Sequence, residues 1–298
     1  MMTDDPRFVF LQRLAQQGGP APEEDARLTA TIAELYAEFQ AGTIPSAALK
    51  ALHAILPFTR DTIQGFTLLK PNGYAGCFEV IERIYRREHS GDPRHYNWDR
   101  FCRMSPPGRA VRNRKDYFIE EVHRAVGAAG GKRIKLLNVA SGPGRDLKEL
   151  FDSCPELPVD VVCVEQDPRA IAHATQVCAE HLAHIEFIRT NALTFATEQT
   201  FDLIWSAGLF DYLTDAYFSH LLRRLFERLN PGGELIVGNF CRTNPARPYM
   251  EFIEWSLHHR TADELRAFAA EFASEADIAV RAEPAQVNLF LHLRKFRA

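Results

Sequence analysis

The segment NVASGPGRDL, residues 138–147, carries the clearest indication of the fold in this chain. The apolar run RIKLLNVA leads into it, and the helix-like run DLKELF continues from it. Glycine lacks a Cβ atom, so a glycine-containing turn between a strand and a helix lets a ligand come close to the backbone. The stretch therefore predicts a strand, a ligand-binding turn and a helix in direct succession.

The chain from Ile134 onward continues this alternation of strands and helices. It predicts an α/β fold, a Rossmann-like, doubly wound and mostly parallel seven-stranded sheet with helices on both faces. In such sheets ligands bind beyond the carboxyl ends of the strands, where Gly142 and Gly144 fall. The strand candidates are IKLLNVA, VDVVCVE, IEFIRT, FDLIWSA, GELIVGNF, ADIAVRAE and QVNLFLHLRK.

The chain before this region reads as helices joined by turns. The segment PEEDARLTATIAELYAEFQAG places Leu28, Ile32 and Leu35 on one helical face and ends in a glycine. We predict two domains, a helical cap on the substrate side at 1–128 and a ligand-binding domain at 129–298. Within the cap we predict helices at 45–56, 78–88 and 110–127, and loops at KPNGYAG, HSGDPRHYN and SPPG.

Composition and charge narrow the class of protein. The 298 residues carry a net charge of −4, which disfavours nucleic-acid binding. No apolar run approaches the roughly 20 residues of a membrane helix, and the start, MMTDDPRFVF, is unlike a signal peptide. The six cysteines are scattered without a Cys-x-x-Cys pair. We expect a cytoplasmic protein with a small-molecule partner and neither a nucleic-acid nor a membrane partner; a homodimer stays open.

The glycine turn lacks the marks of two common nucleotide sites. A dinucleotide fingerprint needs a third glycine where Leu147 stands, so a nicotinamide-dependent dehydrogenase is disfavoured. No Gly-Lys-Ser/Thr sequence follows, which disfavours a P-loop. The spacing instead fits a turn that approaches a ligand made of adenosine and an amino acid.

Three more strand ends carry residues suited to such a ligand. Glu165 lies 23 residues after Gly142, where a doubly wound fold places an acid that binds ribose hydroxyls. Asn191 follows the third strand with an amide able to read an adenine edge. The fourth strand ends in the small residues Ser206 and Ala207, which allow close backbone approach. Structural alternatives are a solvated acid at Glu165 and a helix cap at Asn191.

With these features, residues 134–298 resemble the class I S-adenosylmethionine-dependent methyltransferases. The resemblance implies S-adenosyl-L-methionine as cofactor and S-adenosyl-L-homocysteine as product. Two positions depart from the family pattern: Asn138 stands where an acid is common, and Ala140 where the first glycine is common. By position, the cofactor contacts are Asn138, Ser141, Gly142, Gly144, Glu165, Gln166, Asn191 and Ala192, with Ser206 and Ala207 at the fourth strand.

A narrower resemblance extends into the helical part. The stretches NGYAGCFEVIERIY, AVRNRKDYF and FLHLRK resemble bacterial proteins of extracellular factor 3-hydroxypalmitic acid methyl ester biosynthesis. The resemblance implies a carboxylate of a hydroxy fatty acid as the favoured methyl acceptor. That family commonly has an acid where Cys77 stands, and the role of Cys77 stays open.

Methyl transfer from a sulfonium is an in-line displacement, to which a protein contributes proximity, alignment and desolvation. A carboxylate acceptor is already ionised at neutral pH and needs no base. A phenol or an ammonium must lose a proton, and Asp211 and Tyr212 are candidates to manage it. Tyr74, in the loop GYAG, is a candidate lid over the ligand.

Arginines and aromatic residues complete the predicted site. Arg114 is expected to pair with the cofactor carboxylate, and Arg247 or Arg260 to hold an anionic substrate. Tyr249 and Trp255 are expected to wall the substrate. No cluster has metal-ligand spacing, so we predict no metal. Two alternatives stay open, a secondary-metabolite N-, O- or C-methyltransferase acting on an aromatic or amine substrate, and a non-catalytic protein that only binds S-adenosylmethionine.

Overall fold

The computed structural model describes residues 5–55 and 59–296. These residues form two compact units. The first comprises the chain up to Arg109 together with Pro245–Ser256, and the second comprises Ala110–Asn244 and the chain from Leu257 onward. This division differs from the predicted one, which ran between residues 128 and 129.

The first unit is built of helices, and the second combines helices with a sheet. None of the helices in the described ranges is apolar over a length that could cross a bilayer. In chain order the helices are α1 (Pro6–Gln16), α2 (Asp25–Gln40), α3 (Ser46–Ile55), α4 (Ile63–Leu69), α5 (Phe78–Tyr85), α6 (Tyr96–Met104), α7 (Pro106–Ala128), α8 (Arg145–Ser153), α9 (Pro168–Val177), α10 (Asp215–Glu227), α11 (Arg247–Phe252) and α12 (Ala262–Ala269).

The sheet of the second unit has seven strands in the order β3-β2-β1-β4-β5-β7-β6. Strands β1 to β5 are parallel, and β7 runs antiparallel to both β5 and β6. The predicted mostly parallel, Rossmann-like sheet is confirmed, and a strand lies at each of the seven predicted places. The strands are β1 (Ile134–Val139), β2 (Val159–Glu165), β3 (Ile185–Arg189), β4 (Phe201–Ser206), β5 (Leu229–Phe240), β6 (Ile278–Ala282) and β7 (Asn288–Arg294).

Two local predictions about the ends of elements were wrong. The sequence SPPG was predicted as a loop, yet α7 begins at Pro106, because prolines are tolerated in the first turn of a helix, where backbone N–H groups lack an intrahelical acceptor. The fifth strand was predicted to begin at Gly233, the start of GELIVGNF, yet β5 already begins at Leu229. Phe201 pairs with Leu229 and Leu203 with Glu234, so residues 230–233 bulge out of the ladder.

Apolar side chains cover both faces of the sheet, because alternate residues of a strand point to opposite faces. Leu137 belongs to one buried cluster and its neighbour Leu136 to the other. In the second cluster Trp205 stacks on Phe290 with ring centroids 5.3 Å apart. Tyr117 of α7 stacks on the same Phe290 at 4.1 Å. This packing explains why most of α7 belongs to the sheet unit.

A buried network of charged side chains links α7 to the neighbouring strands β5 and β7. Glu234 accepts hydrogen bonds from His292 Nδ1 and from Arg124, both at 2.7 Å. His292 Nε2 lies 2.7 Å from the Tyr117 hydroxyl. Burial alone raises the pKa of Glu234, but the hydrogen bonds and charges of His292 and Arg124 outweigh burial and lower the pKa to about 2. The carboxylate therefore stabilises the fold in its ionised form.

We expect Glu234→Gln to lower the free energy of unfolding by about 3 kcal/mol at pH 7, the value of a pKa lowered from 4.5 to about 2. The wild-type carboxylate contributes fully above pH 4.5, and its contribution is lost as the pH falls towards 2. Urea unfolding at pH 7 and pH 3 should therefore show that wild type and Glu234→Gln differ less in the free energy of unfolding at the lower pH. Glu198→Gln is the control, since that side chain is 98% exposed. A difference that does not change with pH would contradict the expectation.

Candidate functional site

The glycine turn after β1 has a backbone that alternates into the left-handed region. Ala140, Gly142 and Gly144 have φ angles of 56°, 62° and 72°. A Cβ atom added to Gly142 would meet no atom within 4 Å, so this part of the turn is open to a ligand. A Cβ atom on Gly144 would lie 3.0 Å from the Ala174 side chain in α9. Gly144 therefore serves the close packing of two helices.

Glu165, at the end of β2, holds the glycine turn in place. One carboxylate oxygen accepts from the backbone N–H of Gly142 at 3.0 Å. The other accepts from Gln166 N–H at 2.8 Å and from Asp167 N–H at 3.0 Å. Three of the roughly four lone-pair sites of the carboxylate are thereby occupied, so the oxygen bound to Gly142 can still accept from one ribose hydroxyl.

Asn191, the predicted adenine contact, lies next to Gln166, a predicted cofactor contact at the end of β2. The amide nitrogen of Asn191 donates to the side-chain oxygen of Gln166 at 3.2 Å. Asn191 Oδ1 accepts from the N–H of Leu193 at 2.8 Å, which closes a turn and does not cap a helix, since no helix lies between β3 and β4 in the described residues. Ala192 packs partly buried against the hydrophobic core. Gln166 and Asn191 are both exposed.

Two buried polar groups at the turn lack partners among the described residues. They are Asn138 Nδ2, at the end of β1, and Ser141 Oγ, inside the turn. A buried donor without an acceptor costs about 1–3 kcal/mol, so native proteins keep such groups where a ligand or water completes them. The arrangement fits a ligand that offers acceptor oxygens at the end of β1.

Arg114 of α7 comes to the carboxyl end of β4. Its guanidinium lies against the backbone of Gly208, since a Cβ atom there would stand 3.1 Å from Arg114 Nη1. Ser206 is fully buried and donates to the carbonyl of Val139 at 3.0 Å, which joins the ends of β4 and β1. Ala207 packs partly buried against the second core cluster. Arg114 thus presents a buried positive charge beside the predicted cofactor position.

Asp146, in the first turn of α8, was missed by the sequence analysis. Burial raises the pKa of Asp146 to about 6, while its hydrogen bond from the Leu147 N–H and the charge of Arg114 act against that rise. An acid and a base buried at the end of the glycine turn can meet the two charges of an amino acid. The sequence signal that could have identified Asp146 is its position two residues after Gly144, the last glycine of the turn.

Asp211 and Tyr212 follow β4 in a short 3-10 turn. The Asp211 carboxylate is buried and accepts from the N–H of Phe240 at 2.7 Å. Burial raises the pKa of Asp211 to about 7, although that hydrogen bond and the charges of Arg114 and Arg260 lower it. Tyr212 is 41% exposed. Asp211 therefore combines a fixed position with a pKa near neutrality.

The prediction that Arg260 binds substrate requires a correction. Arg260 is buried, and its N–H groups donate to backbone carbonyls of Phe210 and Leu213, to Asn239 Oδ1 and to Asp215 Oδ1. With all five donors of the guanidinium engaged, the side chain links the turn after β4 to β5 and to the start of α10.

The remaining predicted residues lie in the first unit. Tyr74 is 38% exposed in the loop after α4. Tyr249 and Trp255 are buried within the unit, and Arg247 donates to Glu251 of its own helix at 2.7 Å. Cys77 is a buried free thiol at the start of α5. Their predicted roles towards substrate stay predictions.

One trio of possible metal ligands occurs within the described ranges, Glu121, Glu234 and His292. Arg124 forms ion pairs with both carboxylates, and His292 is bonded to Glu234 and Tyr117. The guanidinium thus already provides the positive charge that these carboxylates bind.

Comparison with known proteins shows what this fold and site are similar to. Residues 136–233 match the family described as "Methyltransferase domain". The match covers 98 of the 298 residues and agrees with the class that the sequence predicted. The matched region begins in β1 and contains the glycine turn, Glu165, Asn191 and Asp211.

Individual relatives extend this result. Nodulation protein S of Sinorhizobium fredii is 34% identical over 119 residues, which are 39% of this chain and 52% of that protein. The chain thus spans about half the length of this relative. A structure from Bordetella parapertussis, described as "a possible exported protein", has a TM-score of 0.65 at 22% identity over 93% of this chain and 97% of its own. Magnesium protoporphyrin IX methyltransferase from Synechocystis has a TM-score of 0.54 at 13% identity, over 77% of this chain and 96% of its own. Both structures share the fold.

Ala140 adopts a left-handed conformation that costs an alanine about 1 kcal/mol relative to glycine. We expect Ala140→Gly to raise the free energy of unfolding by about 0.5–1 kcal/mol, measured by urea denaturation. Ala170→Gly in α9 is the control and should destabilise by about 1 kcal/mol, because that residue is helical. A destabilised Ala140→Gly protein would show that the Ala140 side chain stabilises the turn more than its φ angle strains it.

Proposed function

We propose that this protein is an S-adenosylmethionine-dependent methyltransferase that acts on a small molecule in the cytoplasm. The observation that carries the proposal is the pair of unpartnered buried groups, Asn138 Nδ2 and Ser141 Oγ, at the glycine turn of a methyltransferase domain. A ligand with oxygen atoms at the end of β1 would satisfy both groups.

The residues at the carboxyl edge of the sheet fit the cofactor part by part. Arg114 and Asn138 would bind its carboxylate, and Asp146 its ammonium group, since acid and base are both buried there. Glu165 and Gln166 would bind the ribose, with Glu165 accepting from one hydroxyl, and Asn191 with Ala192 would contact the adenine edge. Each pairing joins groups of complementary charge or hydrogen-bonding type.

When bound, S-adenosylmethionine supplies an electrophilic methyl group on a sulfonium, and the protein aligns the acceptor in line with it. We favour as acceptor the carboxylate of a hydroxy fatty acid, in keeping with the resemblance in the stretches NGYAGCFEVIERIY, AVRNRKDYF and FLHLRK. A carboxylate is ionised at neutral pH, so the chain need only position it and exclude water. In this proposal Tyr74 closes over the ligand, Tyr249 and Trp255 wall the substrate, and Arg247 attracts its anionic group.

A second candidate is transfer to an amine or a phenol, and Asp211 favours it. Burial raises the pKa of this carboxyl to about 7, although the Phe240 N–H and the charges of Arg114 and Arg260 act against burial. A base with a pKa near the working pH suits removal of a proton from such an acceptor. Tyr212, its exposed neighbour, would contact that substrate. A homodimer is compatible with either candidate.

We expect S-adenosylhomocysteine to bind the wild-type protein and NAD not to bind, as measured by titration calorimetry. Asn138→Ala should weaken S-adenosylhomocysteine binding about 10-fold, because one hydrogen bond to a charged carboxylate is lost. Asn230→Ala is the matched control, since its amide donates to Asp202 at 2.8 Å near the start of β5. Equal affinity in Asn138→Ala and wild type would reject our placement of the amino-acid end.

The acceptor is tested with S-adenosylmethionine that carries label in its methyl group. After incubation with a mixture of small acids, phenols and amines, the product is treated with mild alkali and volatile methanol is counted. Methanol release identifies a methyl ester and supports the carboxylate. Label that resists alkali supports the second candidate, and Asp211→Asn should then abolish most of the turnover. Binding of S-adenosylhomocysteine without any incorporation would favour the non-catalytic alternative.

A further inference from the structure

The turn that follows β3 carries Asn191 and Ala192, the proposed adenine contacts. We refer to residues 191–195 as the adenine segment. The carbonyl of Asn191 accepts from the N–H groups of Thr194 and Phe195, at 3.0 and 2.9 Å. Local hydrogen bonds of this kind fix the shape of the turn, but they do not fix its position relative to the sheet.

Packing holds the adenine segment only in part. Ala192, Leu193 and Phe195 are partly buried against the hydrophobic core of the sheet. A cavity of about 70 Å³ remains beside them, lined by Ala192 and Phe195 of the segment and by Leu225 of α10. Atoms that face a cavity lack contacts on that side. The position of the segment therefore depends on more than packing.

Arg224 of α10 supplies a further connection. It lines the same cavity and is partly buried. Its Nη1 donates to the carbonyl of Leu193, and its Nη2 donates to the carbonyl of Phe195. The donors of a planar guanidinium point in fixed directions, so the two bonds orient the segment as well as hold it. Arg224 thus joins the adenine segment to a helix whose apolar face lies in the core.

Asn191 keeps hydrogen-bonding capacity for a base. Its Oδ1 accepts from the N–H of Leu193 at 2.8 Å, and its Nδ2 donates to the side-chain oxygen of Gln166 at 3.2 Å. An amide has two acceptor lone pairs and two donor hydrogens, so one of each remains for the amino group and ring nitrogen of adenine. Hydrogen bonds weaken steeply with misalignment, so this amide distinguishes bases only while the segment is held in place.

We propose that Arg224 is a positioning residue that fixes the adenine segment and thereby sets the preference of the cofactor site for adenine. The inference rests on the proposed function, because it takes S-adenosylmethionine to be the cofactor. Arg224 acts through the two backbone carbonyls that it binds, and Asn191 meets the base.

The test compares S-adenosylhomocysteine with S-inosylhomocysteine by titration calorimetry. In the second ligand a carbonyl replaces the amino group of adenine and the adjacent ring nitrogen carries a hydrogen, so donor and acceptor are exchanged. We expect the wild-type protein to bind S-adenosylhomocysteine about 10-fold more tightly.

Arg224→Met should lose most of this preference, because it binds S-adenosylhomocysteine more weakly. Its affinity for S-inosylhomocysteine should stay unchanged, which also shows that the variant is folded. Arg224→Lys should restore part of the preference, since an ammonium group can donate to a carbonyl but lacks the fixed fork of a guanidinium.

Arg228→Met is the matched control. Arg228 lines the same cavity, but its Nη1 bonds to the Glu198 side chain at 3.3 Å, outside the adenine segment. It should keep the full preference. The inference is overturned if wild type binds the two ligands equally, if Arg224→Met keeps the wild-type preference, or if Arg224→Met binds both ligands more weakly by the same factor.

The same titrations separate this inference from the proposed function. If wild type does not bind S-adenosylhomocysteine, the proposed function fails and the inference fails with it. If wild type binds this ligand with the expected preference and Arg224→Met does the same, only the inference fails.

Discussion

The site depends on the hydrogen bonds that the Glu165 carboxylate accepts from the backbone of Gly142, Gln166 and Asp167. The N–H groups of Ala140 and Ser141 still donate to the carbonyl of Val164 in β2, at 2.7 and 3.4 Å. The Glu165 side chain accepts from the next N–H, that of Gly142, where the backbone is in the left-handed region. By fixing the turn to the end of β2, it also fixes Ser141 and the start of α8, from which the amino-acid end of a cofactor would be bound.

The pKa values of buried carboxyl groups are shifted in opposite directions at the two ends of the sheet. At the amino end, direct hydrogen bonds from His292 and Arg124 outweigh burial and lower the pKa of Glu234 to about 2. At the carboxyl end, burial dominates and raises the pKa of Asp146 to about 6 and of Asp211 to about 7. Charges with complete partners stabilise a fold, whereas charges without them remain available to a ligand or a proton.

Most of the fold could be predicted from the sequence, because the alternation of strand and helix patterns implies a parallel sheet whose carboxyl ends meet at one edge. This reasoning also identified the turn, Glu165 and Asn191. It did not identify Asp146, since one acid in an amphipathic helix is usually exposed. It misassigned Arg260, since an arginine forms a surface ion pair or a buried network according to its neighbours, which lie far apart in sequence.

The class of fold, the order of its elements and the residues at the strand ends could be predicted from the sequence, because they follow from local patterns. Which polar groups are left without partners became known from the tertiary structure alone. Nothing in the sequence distinguishes Asn138 and Gln64 from other Asn and Gln residues. In the structure, each has a buried donor that meets no acceptor among the described residues. Hydrogen-bond satisfaction depends on residues brought together from distant parts of the chain, so it cannot be read from any single segment.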